Sequence, residues 1–542
     1  MVDAGLGIKT KAVPYTVEHD IPTRMSDGIT LLGDLYQPVS TKDPAPVVLM
    51  RCPYGRRGAI PLTAAIPLAR RGFQVFLQST RGTFGSEGTF RPFFSEKDDG
   101  ITTLAWLRSQ PWCDGQVAMA GSSYLGHTQW AVAPYADPPL AAVSLSITSA
   151  DLTKAFFTNG APGVLNALSW AALLGTQESA KMPAALNPRF RKRTERIAST
   201  GPFLGADVAL SKNTVPFWQD FLDLPATDPA WSEVDHSRAD MTAMPPVTMV
   251  TGWWDLFLAG QLADFMALRA AGNDARITIG PWSHSTVGAG AAAMRDSIAW
   301  LGHHLNGAPM PQRTPVRALL QNTDIWLDLE QWPPSNRVDH DRYLLTGGRI
   351  ESTPSDSGAL PSTFVYDPAD PTPTVGGPML SPPAGQADNT AVERRTDVLV
   401  FTADPEPVDL DIVGPVTATI YVRPQLAHAD IFVRLCDVDT KNRSFNIVDG
   451  IKRLNPQSVP ACDARDVGDG VLAVDVELFP TAYRVEAGHR LRVQIAGGAS
   501  PRYASNTGTG EALTSTAAGV AGTVEIFHDS DHPSHITLPV LT

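Results

Sequence analysis

Apolar positions in the first half of the chain alternate between two rhythms. Pro46-Val47-Val48-Leu49-Met50 and Phe73-Gln74-Val75-Phe76-Leu77 are short, nearly unbroken apolar runs, which predict buried strands. Between them Leu62, Ile66 and Leu68 fall on one side of a helix that stops near Arg70-Arg71-Gly72. A second helix is predicted over Lys97–Ser109, with Ile101, Leu104 and Trp106-Leu107 on its apolar side and Pro111 beyond its end. Gln116–Ala120 and Ala142–Thr148 follow as strands. Strands that alternate with helices imply a parallel sheet covered on both faces.

This rhythm stops near Thr148 and returns at Pro246-Val247-Thr248-Met249-Val250 and Arg276-Ile277-Thr278-Ile279. The intervening residues, 150–240, show helical spacing, with Val164, Leu165, Leu168, Ala171 and Ala172 on one face. Arg189, Arg191, Lys192 and Arg193 mark a solvated face. This stretch reads as a helical insertion into an α/β domain. After about residue 345 the composition shifts. Ser352–Pro383 is rich in Pro, Gly, Ser and Asp and is expected to link domains. Beyond it Val416, Ala418, Ile420 and Val422 alternate with Thr417, Thr419 and Tyr421. Leu472, Val474, Val476, Leu478 and then Leu491, Val493, Ile495 repeat the period of two. Turn residues separate these runs, so an antiparallel sandwich is expected.

Composition narrows the classes of function. The 542 residues carry 43 basic and 56 acidic side chains, and a net charge of −13 disfavours nucleic acid and anionic membrane as partners. The uncharged run Ala155–Gln177 is long enough to span a bilayer, but Asn159, Gly160, Pro162, Gly163 and Asn166 spoil a spanning helix, so loop plus buried helix is expected. Cys52, Cys113, Cys436 and Cys462 have no metal or disulfide spacing and suit a reducing compartment. Met1–Tyr15 has no basic start followed by an apolar stretch, so a cytoplasmic chain is expected.

The candidate chemistry sits where predicted strands end. Gly121-Ser122-Ser123-Tyr124-Leu125-Gly126 follows the strand Gln116–Ala120 and precedes a helix-compatible stretch, Tyr124–Val132. That is the context of a nucleophile elbow, although the second glycine comes three residues after Ser123 rather than two. A serine hydroxyl needs a base. Asp255 lies just past Val247–Val250 and His284 just past Arg276–Ile279, in the order Ser, Asp, His that α/β-hydrolases use. Each of the three follows the carboxyl end of a strand, where α/β sheets keep their sites. Tyr54, in Arg51-Cys52-Pro53-Tyr54-Gly55, follows another such strand. A fixed phenol there could donate to a developing oxyanion, although spacing alone favours an ordinary turn tyrosine.

Other patterns are weaker. His303-His304 lacks metal-ligand spacing, Gly5-Leu6-Gly7 lacks a preceding strand, and no Walker A sequence occurs, so neither metal nor cofactor is expected. The glycine-rich stretch Arg81–Gly88 is expected to support the site structurally.

Together these motifs resemble the cocaine-esterase-like branch of the X-prolyl dipeptidyl peptidase superfamily. The resemblance runs through Pro53-Tyr54, Arg81–Gly88, Gly121–Gly126, Gly252-Trp253-Trp254-Asp255, Gly280-Pro281-Trp282-Ser283-His284 and Tyr366-Asp367-Pro368. It implies an α/β-hydrolase core in two parts, residues 1–149 and 241–350, a helical cap over 150–240 and a C-terminal jelly-roll sandwich over 351–542. It implies Ser123 as nucleophile, Asp255 and His284 as its triad partners, and an oxyanion hole made by the Tyr54 hydroxyl and the Tyr124 backbone N–H. One departure is visible: the family often has an acidic residue just before the Arg-Gly of the glycine-rich loop, where this chain has Ser79-Thr80.

Asp255 is followed by Leu256-Phe257-Leu258, whereas the amino-ester hydrolases of this superfamily carry acidic residues there to hold a substrate ammonium. An apolar wall does not compensate a buried cation. The resemblance places Phe257 in the acyl pocket, and the aromatic content of the cap adds the expectation of Trp254 nearby and of Phe157 and Trp170 closing it. The expected activity is a serine hydrolase of carboxylic esters, with amides within reach, acting on an uncharged, bulky acyl group through an acyl-enzyme. The partner expected is a small-molecule ester or amide, and a homodimer stays open. The alternative in the same class is an X-Pro dipeptidyl peptidase or α-amino-acid ester hydrolase, with Asp151 or Glu178 as candidate anchors for the substrate amine. Outside that class stands a noncatalytic binding protein on a decayed hydrolase.

Overall fold

The computed structural model describes residues 12–41, 44–179, 187–310, 312–355, 358–455 and 464–542. The chain forms two compact units. Met1–Leu152, Gln177–Ala180 and Thr227–Arg317 make the first, and Thr153–Thr176, Lys181–Ala226 and Ala318–Thr542 the second.

In the first unit, eight strands lie side by side: β1 Tyr15–Arg24, β2 Thr30–Pro38, β3 Ala45–Cys52, β4 Gln74–Ser79, β5 Cys113–Ser122, β6 Val143–Ser146, β7 Val247–Trp254 and β8 Ala275–Ser283. Their order is β1-β2-β4-β3-β5-β6-β7-β8. β1 and β2 are antiparallel to each other, and β2 to β4. From β4 through β8 every neighbouring pair is parallel. The apolar runs become the central strands because both sheet faces are covered: Val47, Val48, Leu49, Val75, Phe76, Leu77, Met119, Ile277 and Ile279 are all buried. Helices α1 Glu96–Arg108, α2 Tyr124–Trp130, α3 Leu258–Ala270 and α4 Val287–Asn306 flank the sheet. The helix expected around Leu62 and Leu68 is two short pieces, a π-type turn Pro61–Ala65 and a helical turn Ile66–Ala69. Pro61 and Pro67 each lack an N–H, so neither piece is a long regular helix. Parallel pairing sends all carboxyl ends of β3, β5, β7 and β8 to one edge of the sheet, which places Tyr54, Ser123, Asp255 and His284 along it.

The second unit contains the helices Val164–Thr176, Pro188–Thr200, Ala206–Ser211 and Pro216–Asp223. The long uncharged run resolves into the two-residue strands Phe157–Thr158 and Ala161–Pro162, paired antiparallel, followed by the largely buried helix Val164–Thr176. Asn187 caps Pro188–Thr200 by accepting from the Arg189 and Phe190 amides, and Arg189, Lys192 and Arg193 are exposed. Among the described residues no helix is long and apolar enough to cross a membrane.

The rest of this unit is a sandwich of mainly antiparallel strands. Val416, Ala418, Ile420 and Val422 are buried, as are Leu491, Val493 and Ile495, as their period of two requires. Two features depart from expectation. The stretch expected to be a linker contains a strand, Ser362–Tyr366, paired with Gly522–Ile526 and anchored by buried Phe364 and Tyr366. The strand Arg337–Leu345 pairs with His535–Leu541 ahead of the composition shift. Its first half, Arg-Val-Asp-His-Asp, is mostly exposed and has no apolar period to read.

Candidate active site

The turn between β5 and α2 brings Ser123 out of the sheet. Ser123 has φ +59°, a left-handed backbone that costs a non-glycine residue roughly 1–3 kcal/mol and persists only when its surroundings impose it. Here the Ser123 amide donates to the Ser146 carbonyl (2.9 Å), and the Ser123 carbonyl accepts from the Gly126 and His127 amides. The flanking glycines have separate steric causes. A side chain at Gly121 would strike Leu125, and one at Gly126 would strike Thr148 beyond the end of β6. The displaced second glycine is therefore the residue at which α2 crosses closest to the neighbouring strand end.

Asp255 and His284 follow adjacent parallel strands, with Gly252 of β7 opposite Gly280 of β8. The Trp282 ring and backbone fill the space above both glycines, and the indole also reaches Gly288 of α4. Any side chain at these glycines would displace Trp282, two residues before the histidine. Asp255 is fully buried; its Oδ1 accepts the Phe257 amide (2.8 Å) and its Oδ2 lies 2.8 Å from His284 Nδ1. His284 Nε2 lies 3.0 Å from Ser123 Oγ. An imidazole held between a buried carboxylate and a hydroxyl can take the hydroxyl proton, with the carboxylate stabilising the resulting imidazolium.

Tyr54 is half-buried in the bend after β3, the strand next to β5, and its ring meets that of Tyr124 edge-on at 6.3 Å. Tyr124 is itself fixed from below. Its hydroxyl donates to Glu96 Oε1 (2.7 Å) and accepts the Phe93 amide (3.0 Å). Glu96 Oε2 pairs with buried Arg51 at 2.7 Å, and Arg51 also donates to Gln78. Burial pushes the Glu96 carboxyl up against the pull of Arg51, and burial beside Glu96 pushes the Tyr124 phenol far above its ordinary range. Sequence reasoning missed this ionic support. Its signal was a charged residue, Arg51, directly continuing the apolar run of β3.

Ser79-Thr80 do not leave Arg81 without acidic partners. Arg81 makes a two-pronged contact with Asp99 (3.0 and 2.6 Å) and a third bond to Asp27 (2.6 Å). Phe257 lies beside the histidine, with ring centroids 5.6 Å apart, and Leu256, Phe257 and Leu258 are all buried. Trp254 is buried at the end of β7, in register with Ser283. Phe157 and Trp170 belong to the second unit, where Phe157 stacks on Phe221 (5.1 Å) and Trp170 packs against Phe217 (4.4 Å) and Phe156 (6.0 Å). Glu178 accepts the Phe84 amide (3.1 Å), so one of its oxygens is engaged with backbone. His303 Nδ1 lies 2.8 Å from the Ala308 carbonyl at the end of α4, and His304 packs on Trp300. Among the described residues no cluster of three or more His, Cys, Asp or Glu could hold a metal.

Residues 27–286 match the family described as X-Pro dipeptidyl-peptidase (S15 family), and residues 309–537 match its C-terminal non-catalytic domain. The chain is 30% identical to a cocaine esterase of Rhodococcus sp. (strain MB1 Bresler), over 97% of this chain and 99% of that one. Among solved structures, an α-amino acid ester hydrolase covers 98% of each chain at 22% identity and a TM-score of 0.81. An aminopeptidase from a marine sediment archaeon, Thaumarchaeota archaeon, covers 98% of this chain and 97% of its own at 20% identity and a TM-score of 0.82. At those identities the two structures speak for the fold, an α/β-hydrolase core with a C-terminal β-sandwich. The full-length relationship and the family match carry more: the chain belongs to the X-Pro dipeptidyl-peptidase (S15) family, in its cocaine-esterase-like branch, and is a serine hydrolase.

Proposed function

We propose that this hydrolase cleaves carboxylic esters of small molecules, with an uncharged and bulky acyl group, and that Ser123 is its nucleophile. Ser123 attacks the ester carbonyl while His284 takes its proton. Asp255 holds the imidazole in the required tautomer and stabilises its charge. The Tyr54 hydroxyl and the Tyr124 backbone N–H receive the developing oxyanion. His284 then returns its proton to the departing alcohol. Water, deprotonated by the same imidazole, releases the acid. Trp254 and Phe257 line the acyl pocket.

The observation that carries the ester reading is the Phe257 ring beside His284, on a buried apolar segment that starts right after Asp255. An aromatic wall offers contact area to an aryl or branched acyl group. It offers no carboxylate to an α-ammonium. Glu178, one candidate anchor for such an amine, has one of its oxygens engaged by the Phe84 amide.

The test is a panel of p-nitrophenyl acyl esters against Gly-Pro and Ala-Pro anilides, with benzoyl and phenylglycyl esters compared at a pH where the amine is charged. The proposal expects the uncharged aryl esters to have the higher kcat/KM. Preference for charged amino-acyl esters or for X-Pro anilides would overturn it in favour of a peptidase. Ser123→Ala should lower kcat by about 10⁴-fold or more. An acyl adduct found by mass spectrometry on Ser122 would reassign the nucleophile.

A further inference from the structure

The bend that carries Tyr54 has no regular structure of its own. It runs from the end of β3 through Pro53, Tyr54, Gly55, Arg56, Arg57 and Gly58, with positive φ at both glycines (+92° and +93°). Such a segment has many accessible conformations, and a hydroxyl donor on it works only if the bend is held still. Cys52 Sγ to the Gly55 carbonyl, at 3.5 Å, is a weak tether.

Arg56 supplies the strong one. Its side chain is 5% exposed, whereas that of its neighbour Arg57 is 68% exposed. From that buried position its guanidinium reaches four elements. Nε donates to Asp34 Oδ1 of β2 (3.2 Å), and Nη2 to Asp20 Oδ1 of β1 (2.6 Å). Nη1 donates to Ser79 Oγ at the end of β4 (2.7 Å) and to the Phe84 carbonyl of the glycine-rich loop (3.1 Å). Asp34 is itself fully buried and accepts from the Asp20 amide (2.9 Å), so the anchor is rigid. The Phe84 ring packs directly on Gly55, between Tyr54 and Arg56.

Burying a guanidinium is costly unless its donors are satisfied, and a planar fork with five N–H groups can satisfy several acceptors at once. A lysine ammonium cannot span acceptors on four different elements. β1, β2 and β4 pair through their backbones on either side of these contacts, with a break in the β1–β2 register between Glu18 and Ile21, where Asp20 sits. What the contacts restrain is the bend two residues from Tyr54.

We propose that Arg56 is a positioning residue for the reaction: by clamping the bend to β1, β2, β4 and the glycine-rich loop, it holds the Tyr54 hydroxyl where the oxyanion forms. The inference rests on the reading of Tyr54 as an oxyanion donor. It adds that the donor's precision is set by a buried cation that never touches substrate. Misplacement by about 1 Å at such a donor can cost about 10²-fold in rate.

The experiment is a double-mutant cycle with Tyr54→Phe and Arg56→Lys, measured on a p-nitrophenyl ester, with kcat expressed per active site titrated by a fluorophosphonate. Tyr54→Phe should lower kcat by about 10²–10³-fold. Arg56→Lys should lower kcat by about tenfold or more, with KM changed little, because the clamp acts on the transition state. In the Tyr54→Phe background Arg56→Lys should cost almost nothing further, since no hydroxyl remains to be positioned. Undiminished loss in that background would overturn the clamp and leave Arg56 a general stabiliser. Wild-type turnover in Tyr54→Phe alone would instead overturn the oxyanion reading beneath it. If Arg56→Lys does not fold, Ser79→Ala removes one of the four contacts, and its smaller loss in kcat must vanish in the same way.

Discussion

Gly126 and Thr148 meet where α2 crosses the chain leaving β6, so closely that no side chain fits at the glycine. Gly126 donates its amide to the Ser123 carbonyl, which ties this crossing to the nucleophile turn. Gly126→Ala should therefore push α2 away from Thr148 and disturb the left-handed backbone of Ser123. Overpacking of this kind costs about 1–3 kcal/mol. The expected outcome is a lower melting temperature together with a drop in kcat, and an unchanged kcat in the folded variant would show that the crossing is not coupled to the turn.

Asp255→Asn tests the buried carboxylate. The side chain keeps its size and can still accept the Phe257 amide, so the fold should persist. The imidazole loses the acceptor that holds its Nδ1–H and the charge that stabilises it when protonated. A fall in kcat of about 10⁴-fold near neutral pH is expected, by analogy with the serine-protease triad. Stopped-flow or steady-state ester hydrolysis, with circular dichroism to verify folding, measures it.

Phe257→Ala should discriminate between substrates. Removing the ring opens space beside His284, so an aryl acyl group loses a contact that an acetyl group never made. Benzoyl esters should lose about tenfold in kcat/KM, equivalent to roughly 1.4 kcal/mol. Acetyl esters measured in parallel should change much less, and equal losses would place Phe257 in the packing of the triad rather than in the acyl pocket.

His127 and His236 predict a loss of stability in acid. Their rings are 5.3 Å apart and both are buried; His127 also packs edge-on against Phe93, and His236 Nδ1 lies 3.3 Å from the Tyr135 hydroxyl. Burial pulls His236 down from 6.5 to about 4, and pulls His127 well below its ordinary value with the neighbouring His236 adding to the effect. Asp235 acts in the opposite direction on His236 and Lys97 in the same direction. In that window the unfolded chain binds protons that the folded chain does not. Stability therefore falls as pH drops below about 6.5 and levels off once the folded imidazole also titrates. For His236 alone the loss reaches about 3 kcal/mol by pH 4. Urea unfolding at pH 7.5 and 4.5 should show that His236→Phe has a smaller difference between the two pH values than the parent.

The strand rhythm, the helical insertion, the period-two sandwich and the three residues at strand ends were legible in the amino-acid order, because each depends on local periodicity or on a turn a few residues long. Val47–Met50 had to be central, since only a strand covered on both faces can bury so continuous an apolar run. The strand Arg337–Leu345 was not legible, because its charged first half joins the sandwich through backbone pairing with residues about 200 positions away.

At the site the division is similar. Order and position predicted Ser123, Asp255 and His284, but the distances of 3.0 and 2.8 Å between them exist only because β5, β7 and β8 run parallel with their carboxyl ends on one edge. The offset glycine looked like a flawed motif until the crossing with Thr148 accounted for it. Arg81 looked short of an acidic neighbour in the chain and finds two, Asp99 and Asp27, through space. The burial of Glu96 and Arg56 had no linear signature, and that of Arg51 showed only as a charge continuing the apolar run of β3. A charge enters a core only where several distant strands and loops converge to satisfy it, and that convergence belongs to the register of the sheet rather than to any stretch of the chain.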